Sequence, residues 1–324
     1  MAAFLGLVLP GVLLNGQVML RDTQVLAKET AVPPTEETQS QEAPLFVTLR
    51  QPGGFVSYMN MNAYLMGVIL AEMPASFELE ALKAQAVAAR TYAQKASVTG
   101  GKHGDGSVCT KASCCQAYIA VEEYLAQGGT EENAEKIRRA VIFTDGQVLT
   151  YAGELIEATY FACSGGYTED AVAVWGTEYP YLKALPSHGE EHSAGFMQEV
   201  SFTSRQFQNA LGRMLNGHPE SWFGETTYTE GGGVASMTIG GQSYTGTELR
   251  SLLNLRSTAF SVTPLEDGVV ITTYGHGHRV GMSQYGADAM AVQGSNYREI
   301  LAYYYPGTEL VSLADVMEMN SVPD

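Results

Sequence analysis

Apolar positions along this chain recur mainly at helical spacing, with shorter apolar runs set between turn residues. From Leu79 to Ala93, leucine and alanine fall three to four residues apart, the period of one helix face. Helices are predicted on this pattern at 61–73, 76–93, 131–141, 204–215 and 296–304. Strands are predicted at 147–151, 154–161, 234–239, 242–245, 259–263 and 269–273. Because the helices and antiparallel strands do not alternate regularly, the predicted fold class is α+β, with helices packed against antiparallel strands.

Cap and turn residues set the limits of several elements. Pro74 disfavours helix for the residue before it, which ends the first helix. Ser76 stands where an N-cap belongs, so the second helix is predicted to begin there. Gly240 and Gly241 are predicted to form the turn of a hairpin between the strands on either side.

The chain divides into a terminal segment, a linker and a folded body. Residues 1–20 carry no charge, which predicts a membrane anchor or the apolar part of a signal peptide, although preceding basic residues are missing. The alternative for residues 1–20 is a buried helix of the folded body. Residues 21–44 are rich in Thr, Glu, Gln and Pro, which predicts a disordered linker. The body is predicted over 45–315, with 186–254 as an inserted subregion and 316–324 as a tail, and is expected to work outside the cytoplasm.

The composition excludes several classes of function. The 324 residues include 18 Lys and Arg against 35 Asp and Glu, a formal net charge of −17. So acidic a surface repels phosphate backbones, and nucleic acid is therefore not a predicted partner. The 4 cysteines are too few for a disulfide scaffold of this length. Beyond the N-terminus, no apolar run approaches the ~20 residues of a membrane span.

Glu72 follows a wholly apolar part of the first predicted helix, 68–71. Desolvation in such surroundings raises the pKa of a carboxyl, which suits a general acid. The alternative is a partly exposed glutamate at a helix end with no chemical role.

A cluster of metal-ligand residue types follows the second predicted helix. His103, Cys109, Cys114 and Cys115 have the spacing His-x5-Cys-x4-Cys-Cys. Four such ligands suffice for a closed tetrahedral zinc site, which would be structural because no position remains for a catalytic water. The alternative is a pair of disulfides that includes Cys163.

A glycine-rich turn containing His278 is the third candidate, together with Ser164 in the upstream run Cys-Ser-Gly-Gly. Glycines on both sides of polar side chains let the backbone approach a ligand closely. An ordinary surface turn is the alternative. A serine hydrolase is disfavoured, because Ser164 lies in no G-x-S-x-G motif and no aspartate can be identified as the partner of His278.

Several motifs occur together in a fixed order. They are Met66-Gly-Val-Ile-Leu-Ala-Glu-Met-Pro-Ala75, Glu80-Ala-Leu-Lys-Ala-Gln-Ala-Val-Ala-Ala-Arg-Thr-Tyr92, Ser164-Gly-Gly, Val174-Trp-Gly176 with Pro180-Tyr-Leu182, Leu252 to Thr258, and Gly277-His-Arg-Val-Gly-Met-Ser-Gln-Tyr-Gly-Ala287. In these motifs the chain resembles the stage II sporulation protein D family, which also includes amidase enhancers. The resemblance extends over about residues 55–310.

The resemblance implies a lytic transglycosylase, which cleaves the MurNAc–GlcNAc linkage of peptidoglycan without water and leaves a 1,6-anhydro-MurNAc end. The expected substrate is glycan that a partner amidase has stripped of its stem peptides, bound in a groove between two lobes. The expected location is the cell membrane, with the body on the mother-cell side of the engulfment septum in a spore former. The main alternative is a non-catalytic amidase enhancer that binds wall glycan. A zinc hydrolase is a third and weaker alternative.

The resemblance also implies roles for individual residues. Glu72 falls on the family's catalytic acid. The expected sugar-holding residues are Arg90, Ser164, His278, Gln284 and Tyr285. The family's zinc ligands fall on His103, Cys109, Cys114 and Cys115, of which Cys114 departs from a pattern that also allows histidine. Arg279 follows His278 where many relatives read His-Gly, and its role is left open.

Overall fold

The computed structural model describes residues 45–51 and 53–319. Its helices are α1 (Met61–Glu72), α2 (Leu79–Thr99), α3 (Val121–Ala126), α4 (Glu131–Phe143), α5 (Ala171–Trp175), α6 (Ser204–Leu211), α7 (Gly246–Leu252), α8 (Gln284–Val292), α9 (Tyr297–Tyr304) and α10 (Leu313–Met319). Its strands are β1 (Phe46–Arg50), β2 (Val56–Asn60), β3 (Val108–Cys109), β4 (Gln147–Tyr151), β5 (Glu154–Leu155), β6 (Tyr160–Phe161), β7 (Met197–Thr203), β8 (Phe223–Tyr228), β9 (Val234–Ile239), β10 (Gln242–Thr245), β11 (Ala259–Leu265), β12 (Gly268–Tyr274), β13 (Met282–Ser283) and β14 (Glu309–Ser312). The predicted α+β class is confirmed.

Helix α1 begins and ends close to its predicted limits. The Asn60 side chain accepts hydrogen bonds from the backbone N–H groups of Asn62 (3.0 Å) and Ala63 (3.2 Å), which caps the N-terminus. At the other end Met73 is already extended, because Pro74 follows it. Glu72 is therefore the last helical residue, with its side chain at the edge of the core.

Helix α2 begins three residues later than predicted. Ser76 is not its N-cap; Glu78 takes that position and makes no side-chain capping bond. The Glu78 backbone N–H instead donates to the Asp288 carboxylate on α8 at 2.6 Å. A Ser76 cap would have accepted a hydrogen bond from this same Glu78 N–H. The predicted serine cap was therefore wrong because Asp288, distant in sequence, accepts that bond instead.

The first hydrophobic core is built around α2. Its alanines are almost completely buried, among them Ala84, Ala86, Ala88, Ala89 and Ala93. Small side chains let α1, α4, α8, α9 and β4 pack closely on every side of the helix. At the contact with β4, the Leu149 backbone N–H donates to Thr91 Oγ1 at 2.9 Å.

The strands form small sheets, most of them antiparallel. Hydrogen-bonded neighbours lie in the orders β2-β1-β3, β14-β4-β5, β10-β9-β8, β11-β12-β7 and β13-β6. The pairs β1–β3 and β6–β13 are parallel. The strand predicted over 154–161 is in fact two strands in different sheets: only β5 pairs with β4, whereas β6 pairs with β13. This second pairing brings the glycine-rich turn 275–281 next to Tyr160.

A second hydrophobic core lies in the part of the chain around the predicted subregion 186–254. It contains Phe207, Trp222, Leu249 and residues as late as Ile271, so its buried side chains extend past residue 254. The sheets β10-β9-β8 and β11-β12-β7 and the helices α6 and α7 contribute to it. Helix α6 ends at Leu211 instead of the predicted 215, because Gly212 adopts a left-handed conformation with φ 69°.

A buried ion pair joins segments that belong to the two cores, and it gives Arg279 a role. Arg279 Nη1 lies 3.2 Å from Glu169 Oε1, and the two side chains are 2% and 1% exposed. Nη2 of Arg279 also donates to the backbone carbonyl of Gly231 at 2.6 Å, while Glu169 accepts from the Gly233 N–H at 2.9 Å. The pair therefore fixes the 229–233 loop of the second core to the 164–169 segment.

The predicted terminal segments fall mostly outside the described residues. The anchor 1–20 and the linker 21–44 lie there entirely. None of the described helices is long and apolar enough to cross a membrane. The predicted tail 316–324 begins inside α10, where Val316 is buried with Leu313, so the folded body continues to at least residue 318.

Glu169→Ala should destabilise the protein strongly, by about 3–5 kcal/mol, because it leaves the Arg279 charge buried without its counterion. Urea unfolding of the wild-type protein and of Glu169→Ala measures the difference in their free energies of unfolding. Glu135→Ala is the matched control, since it removes an exposed carboxylate that pairs only with Arg138 on the surface of α4, and it should change stability little. Equally small losses for both variants would contradict the role of the ion pair.

Candidate functional site

The side chain of Glu72 is half-buried at the end of α1 and held in one orientation. Its Oε1 accepts a hydrogen bond of 2.7 Å from the backbone N–H of Ala117. Among the salt bridges of the described residues, none involves Glu72. The carboxyl group is therefore positioned by a neutral donor and lacks a cation that would keep it ionised.

Burial raises the pKa of Glu72, and two weaker effects oppose it. The Ala117 N–H and the Gln284 amide both favour the charged carboxylate and lower the pKa, but desolvation is the larger effect. The Gln284 amide lies close enough to lower the pKa of Glu72, although its Nε2 makes no hydrogen bond of ordinary length to any described residue. A carboxyl with a raised pKa retains its proton closer to neutral pH, as a general acid requires.

A chain of polar side chains lies close to Glu72. Tyr64 donates from its hydroxyl to Gln116 Oε1 at 2.9 Å, and Gln116 Nε2 donates to the Tyr160 hydroxyl at 2.7 Å. Burial, and then the nearby Glu72 charge, raise the pKa of Tyr160 well above its usual value. Sequence reasoning missed Gln116 and Tyr160, and the only signal for Gln116 is its place directly after Cys115.

The four predicted metal ligands come together in one cluster. The ligand atoms of His103, Cys109, Cys114 and Cys115 all lie within 4.8 Å of one another. His103 Nε2 is 3.8 Å from the Cys114 sulfur and 3.6 Å from the Cys115 sulfur, and the two sulfurs are 3.9 Å apart. Tetrahedral zinc, with bonds of about 2.3 Å to sulfur and about 2.0–2.1 Å to nitrogen, would require separations of roughly 3.5–3.8 Å. The residues present therefore fit a zinc ion.

The disulfide alternative finds no support in the structure. All four cysteines are free thiols, and Cys163 lies apart from the cluster, with its sulfur 3.2 Å from Ser193 Oγ. Burial opposes ionisation of Cys109, but hydrogen bonds from the Lys111 backbone and from His103 outweigh it and lower the pKa of Cys109 to about 7. A thiol that ionises readily suits a metal ligand.

The loop that carries the cluster is also the loop that holds Glu72. Ala117 comes two residues after Cys115, and the Ile119 N–H then donates to the Gly67 carbonyl of α1 at 3.1 Å. Gly67 has to be glycine here, because a Cβ at that position would lie 2.2 Å from a ring carbon of Tyr118. The loop is thus fixed across α1 near the Glu72 end.

His278 lies in the glycine-rich turn with its ring between two aromatic side chains. The ring centroids of Trp175 and Phe161 are 5.3 Å and 5.8 Å away, and Nδ1 accepts from the Val280 N–H at 3.1 Å. Burial, and then the nearby Arg250 charge, lower the pKa of His278 to about 4. The imidazole is therefore neutral at physiological pH and can act as a hydrogen-bonding group but not as a cation.

Gln284 and Tyr285 begin α8, after Ser283 caps the helix. Gln284 is 3% exposed and its amide lowers the pKa of Glu72, so the structure brings these two predicted residues together. Tyr285 is half-buried and packs edge-on against Phe77, with 4.9 Å between ring centroids. Phe77 lies just before α2, in the segment that follows Glu72.

Arg90 and Ser164 do not join this site, which corrects the prediction that they hold sugars. Both are 0% exposed. Arg90 donates to the carbonyls of Thr144 (2.7 Å) and Val141 (3.2 Å) and so caps the C-terminus of α4. Ser164 donates from Oγ (2.8 Å) and from its backbone N–H (2.7 Å) to the buried Glu190 carboxylate. Both side chains stabilise the fold and have no surface on which a sugar could bind.

Comparison with known proteins now identifies the family. The family model described as SpoIID, Stage II sporulation protein, matches residues 52–151. The chain is 39% identical over 272 residues to Stage II sporulation protein D of Bacillus subtilis (strain 168), an alignment that covers 82% of this chain and 78% of the relative. This chain belongs to the SpoIID family. Stage II sporulation protein D of Bacillus amyloliquefaciens is 36% identical over 280 residues, covering 85% of this chain and 81% of the relative.

A differently named relative also matches this SpoIID chain. The protein named Amidase enhancer of Bacillus subtilis (strain 168) is 33% identical over 303 residues, covering 76% of this chain and 40% of the relative. The segment matched by the SpoIID model contains Glu72 and all four residues of the metal-ligand cluster. His278, Gln284 and Tyr285 lie outside that segment.

Glu72→Gln should stabilise the protein at neutral pH. Because the pKa of Glu72 is raised in the folded state, folding favours the protonated carboxyl, and this contribution to stability is lost as the pH rises from the usual glutamate pKa of about 4.3 through the higher folded value. Glutamine keeps an acceptor for the Ala117 N–H without the charge. The variant should therefore have the higher Tm at pH 7, and the difference should shrink below about pH 4.

Thermal unfolding at several pH values measures this difference. Glu122→Gln, on the exposed surface of α3, is the matched control and should show no such pH-dependent gain. A Tm gain that persisted at low pH, or a loss at pH 7, would contradict the raised pKa of Glu72.

Proposed function

We propose that this protein is a lytic transglycosylase that cleaves MurNAc–GlcNAc linkages of peptidoglycan glycan strands. Membership of the SpoIID family, with relatives named Stage II sporulation protein D, supports a role on the cell wall during sporulation. The observation that carries the finer proposal is the Glu72 carboxyl, whose pKa is raised by burial and which a backbone N–H holds at a helix end.

One carboxyl group suffices for this reaction. Protonated Glu72 donates its proton to the glycosidic oxygen while the bond from that oxygen to C1 of MurNAc breaks, which releases the leaving sugar. The Glu72 carboxylate then takes the proton from the C6 hydroxyl of MurNAc, whose oxygen closes the 1,6-anhydro ring on C1. No water is consumed, and Glu72 ends protonated as it began. A glycosidase that uses an enzyme nucleophile or an activated water needs a second carboxylate.

His278 and Tyr285 are the proposed sugar-contacting residues. Gln284 is 3% exposed and its Nε2 is buried, which corrects its prediction as a sugar-holding residue; we propose that its amide adjusts the proton affinity of Glu72 instead. His278 is neutral and lies beside the Trp175 ring, which adds an apolar face of the kind that binds sugar rings. The substrate we propose is glycan without stem peptides, which a partner amidase would supply.

We also propose that His103, Cys109, Cys114 and Cys115 bind one structural zinc ion. All four tetrahedral positions would be taken by protein, so the ion would cross-link the loop and leave no site for a catalytic water. Because Ala117 belongs to the same loop, ordering the loop would also fix the hydrogen bond to Glu72. The metal site would thus support activity by holding the Ala117 N–H, and with it the Glu72 carboxyl, in position.

Export and attachment to the cell membrane complete the proposal. The uncharged segment 1–20 and the polar segment 21–44 support an anchor and a linker that hold the body outside the cytoplasm. In a spore former this would be the mother-cell side of the engulfment septum.

A non-catalytic amidase enhancer is the second candidate function. The match to the relative named Amidase enhancer favours it. Such a protein would bind wall glycan and would not require an acidic side chain at Glu72, so the two functions differ in what the Glu72→Gln variant does.

Digestion of stem-peptide-free glycan in oxygen-18 water tests the main proposal. The wild-type protein should produce fragments that end in anhydro-MurNAc, lighter by one water than hydrolysed ends and free of label, as read by mass spectrometry. Glu72→Gln should cut at least about 10²-fold more slowly, because an amide cannot donate the acidic proton. Glu122→Gln should cut at the wild-type rate.

Two outcomes would contradict the transglycosylase. Labelled reducing ends would identify a hydrolase. Absence of cutting by wild-type protein, with equal stimulation of a cell-wall amidase by wild type and Glu72→Gln, would favour the enhancer. Intact peptidoglycan should be cut far less than stripped glycan, and equal cutting of both would remove the stem-peptide requirement.

Metal analysis of the untagged protein tests the zinc site. We expect about one zinc per chain. Cys115→Ser should lose zinc and lower the Tm, since metal-binding energy contributes to folding energy in such sites, and cutting should fall as a consequence. Cys163→Ser makes the same chemical change outside the cluster and should retain the zinc. A metal-free native protein, or a disulfide between Cys109 and Cys163, would contradict the proposal.

A further inference from the structure

A cavity of about 640 Å³ opens at the edge of the second core. Strand β7, the end of α7, the loop after α7 and the turn after β12 form its walls. It is lined by Gln198, Val200, Phe202, Arg250, Leu253, Asn254, Leu255, Arg256 and His276. Its volume is within the range of small-ligand sites and large enough for a sugar residue.

Two arginines give this cavity a positive charge in a protein that is otherwise strongly acidic. Arg250 and Arg256 take part in none of the salt bridges found within residues 45–51 and 53–319. Arg256 Nη1 donates to the Ala194 carbonyl at 3.1 Å, and Arg250 makes one long hydrogen bond of 3.4 Å to the Leu255 carbonyl. A guanidinium has five N–H donors, so most of those on both side chains are free for a ligand.

The charges act on the cavity itself. After burial, the Arg256 and Arg250 charges are the causes that lower the pKa of His276, which lines the same cavity. Two uncompensated guanidinium groups beside one cavity favour an anion, and their planar geometry matches a carboxylate. Apolar side chains such as Val200 and Phe202 line another part of the cavity, which suits a ligand that joins a carboxylate to a less polar body.

The cavity adjoins the turn that carries His278. The His276 N–H donates to the Cys163 carbonyl at 2.7 Å, and the Gly277 N–H donates to the Arg256 carbonyl at 3.0 Å. The Arg250 charge also lowers the pKa of His278. One short turn therefore separates the arginines from a residue proposed to contact sugar.

We propose that Arg250 and Arg256 bind the lactyl carboxylate of a MurNAc residue that has lost its stem peptide. When an amidase hydrolyses the amide between the lactyl group and the peptide, it leaves a free carboxylate on each such sugar. An intact stem peptide has an uncharged amide there and a chain that the cavity would have to accommodate. The arginines therefore select stripped glycan, an inference that rests on the proposed function for its substrate class.

Equilibrium binding by the full chain tests the inference without any cutting. In the Glu72→Gln background, we compare stripped glycan, the same strands with their lactyl carboxyls converted to methylamides, and chito-oligosaccharides of equal length. Stripped glycan should bind about tenfold to a hundredfold more tightly than the other two, the loss expected when charge-assisted hydrogen bonds are removed. Arg256→Gln and Arg250→Gln should reduce this preference, and Arg256→Lys should restore part of it.

The control and the contradicting outcomes are separate from those of the cleavage assay. Arg205→Gln removes one exposed positive charge on α6, outside the cavity, and should keep the full preference. Equal affinity of Glu72→Gln for stripped and methylamidated glycan would overturn the inference, and so would an undiminished preference in folded Arg250→Gln and Arg256→Gln. The methylamide comparison changes only the ligand, so it decides the matter even if the arginine variants do not fold. A protein that shows the preference but cuts no glycan would refute the transglycosylase and support this site.

Discussion

The close packing of α2 on all sides is the constraint on which the rest of the structure depends. Helices α1, α4, α8 and α9 and strand β4 all contact it, and they can do so because its buried positions are largely alanine. A larger side chain at Ala84 or Ala88 would separate neighbouring elements, since interiors of this density have little free space. Two of those neighbours carry Glu72 at the end of α1 and Gln284 at the start of α8. The packing of both helices on α2 therefore brings these two side chains together.

The parts of the fold that depend on local sequence could be predicted. The alanine stripe identified α2, and the hairpin β9–β10 has its predicted limits, because a glycine pair and the strands beside it contain all the information needed. Non-local contacts could not be predicted. The hydrogen bond from the Glu78 N–H to Asp288 takes the place of the expected Ser76 cap. The pairing of β6 with β13 divides a segment that the sequence pattern predicts as one strand. Both depend on residues brought together only by the tertiary fold.

The candidate site was predictable to a similar degree and for the same reason. The metal-ligand cluster lies within the short segment between α2 and α3, so its spacing predicted it. The apolar residues before Glu72 indicated a buried carboxyl. Arg90 and Ser164 stand in conspicuous motifs, but a motif does not distinguish a side chain that contacts a ligand from one that caps a helix or binds a buried carboxylate. Ala117 acts through its backbone, which no sequence pattern reports.

The hydrogen bond from Ala117 has a consequence for a carboxyl group that must both give and recover a proton. Burial alone would hold the proton on Glu72 tightly, which would make it a poor acid for the first half of such a reaction. An N–H donor alone would favour the anion and weaken it as the base of the second half. Acting together on one side chain, the two opposing effects leave a proton affinity between these extremes. The Ala117 N–H thus opposes the effect of burial on the pKa of Glu72. Among substitutions at position 117, only proline removes this N–H.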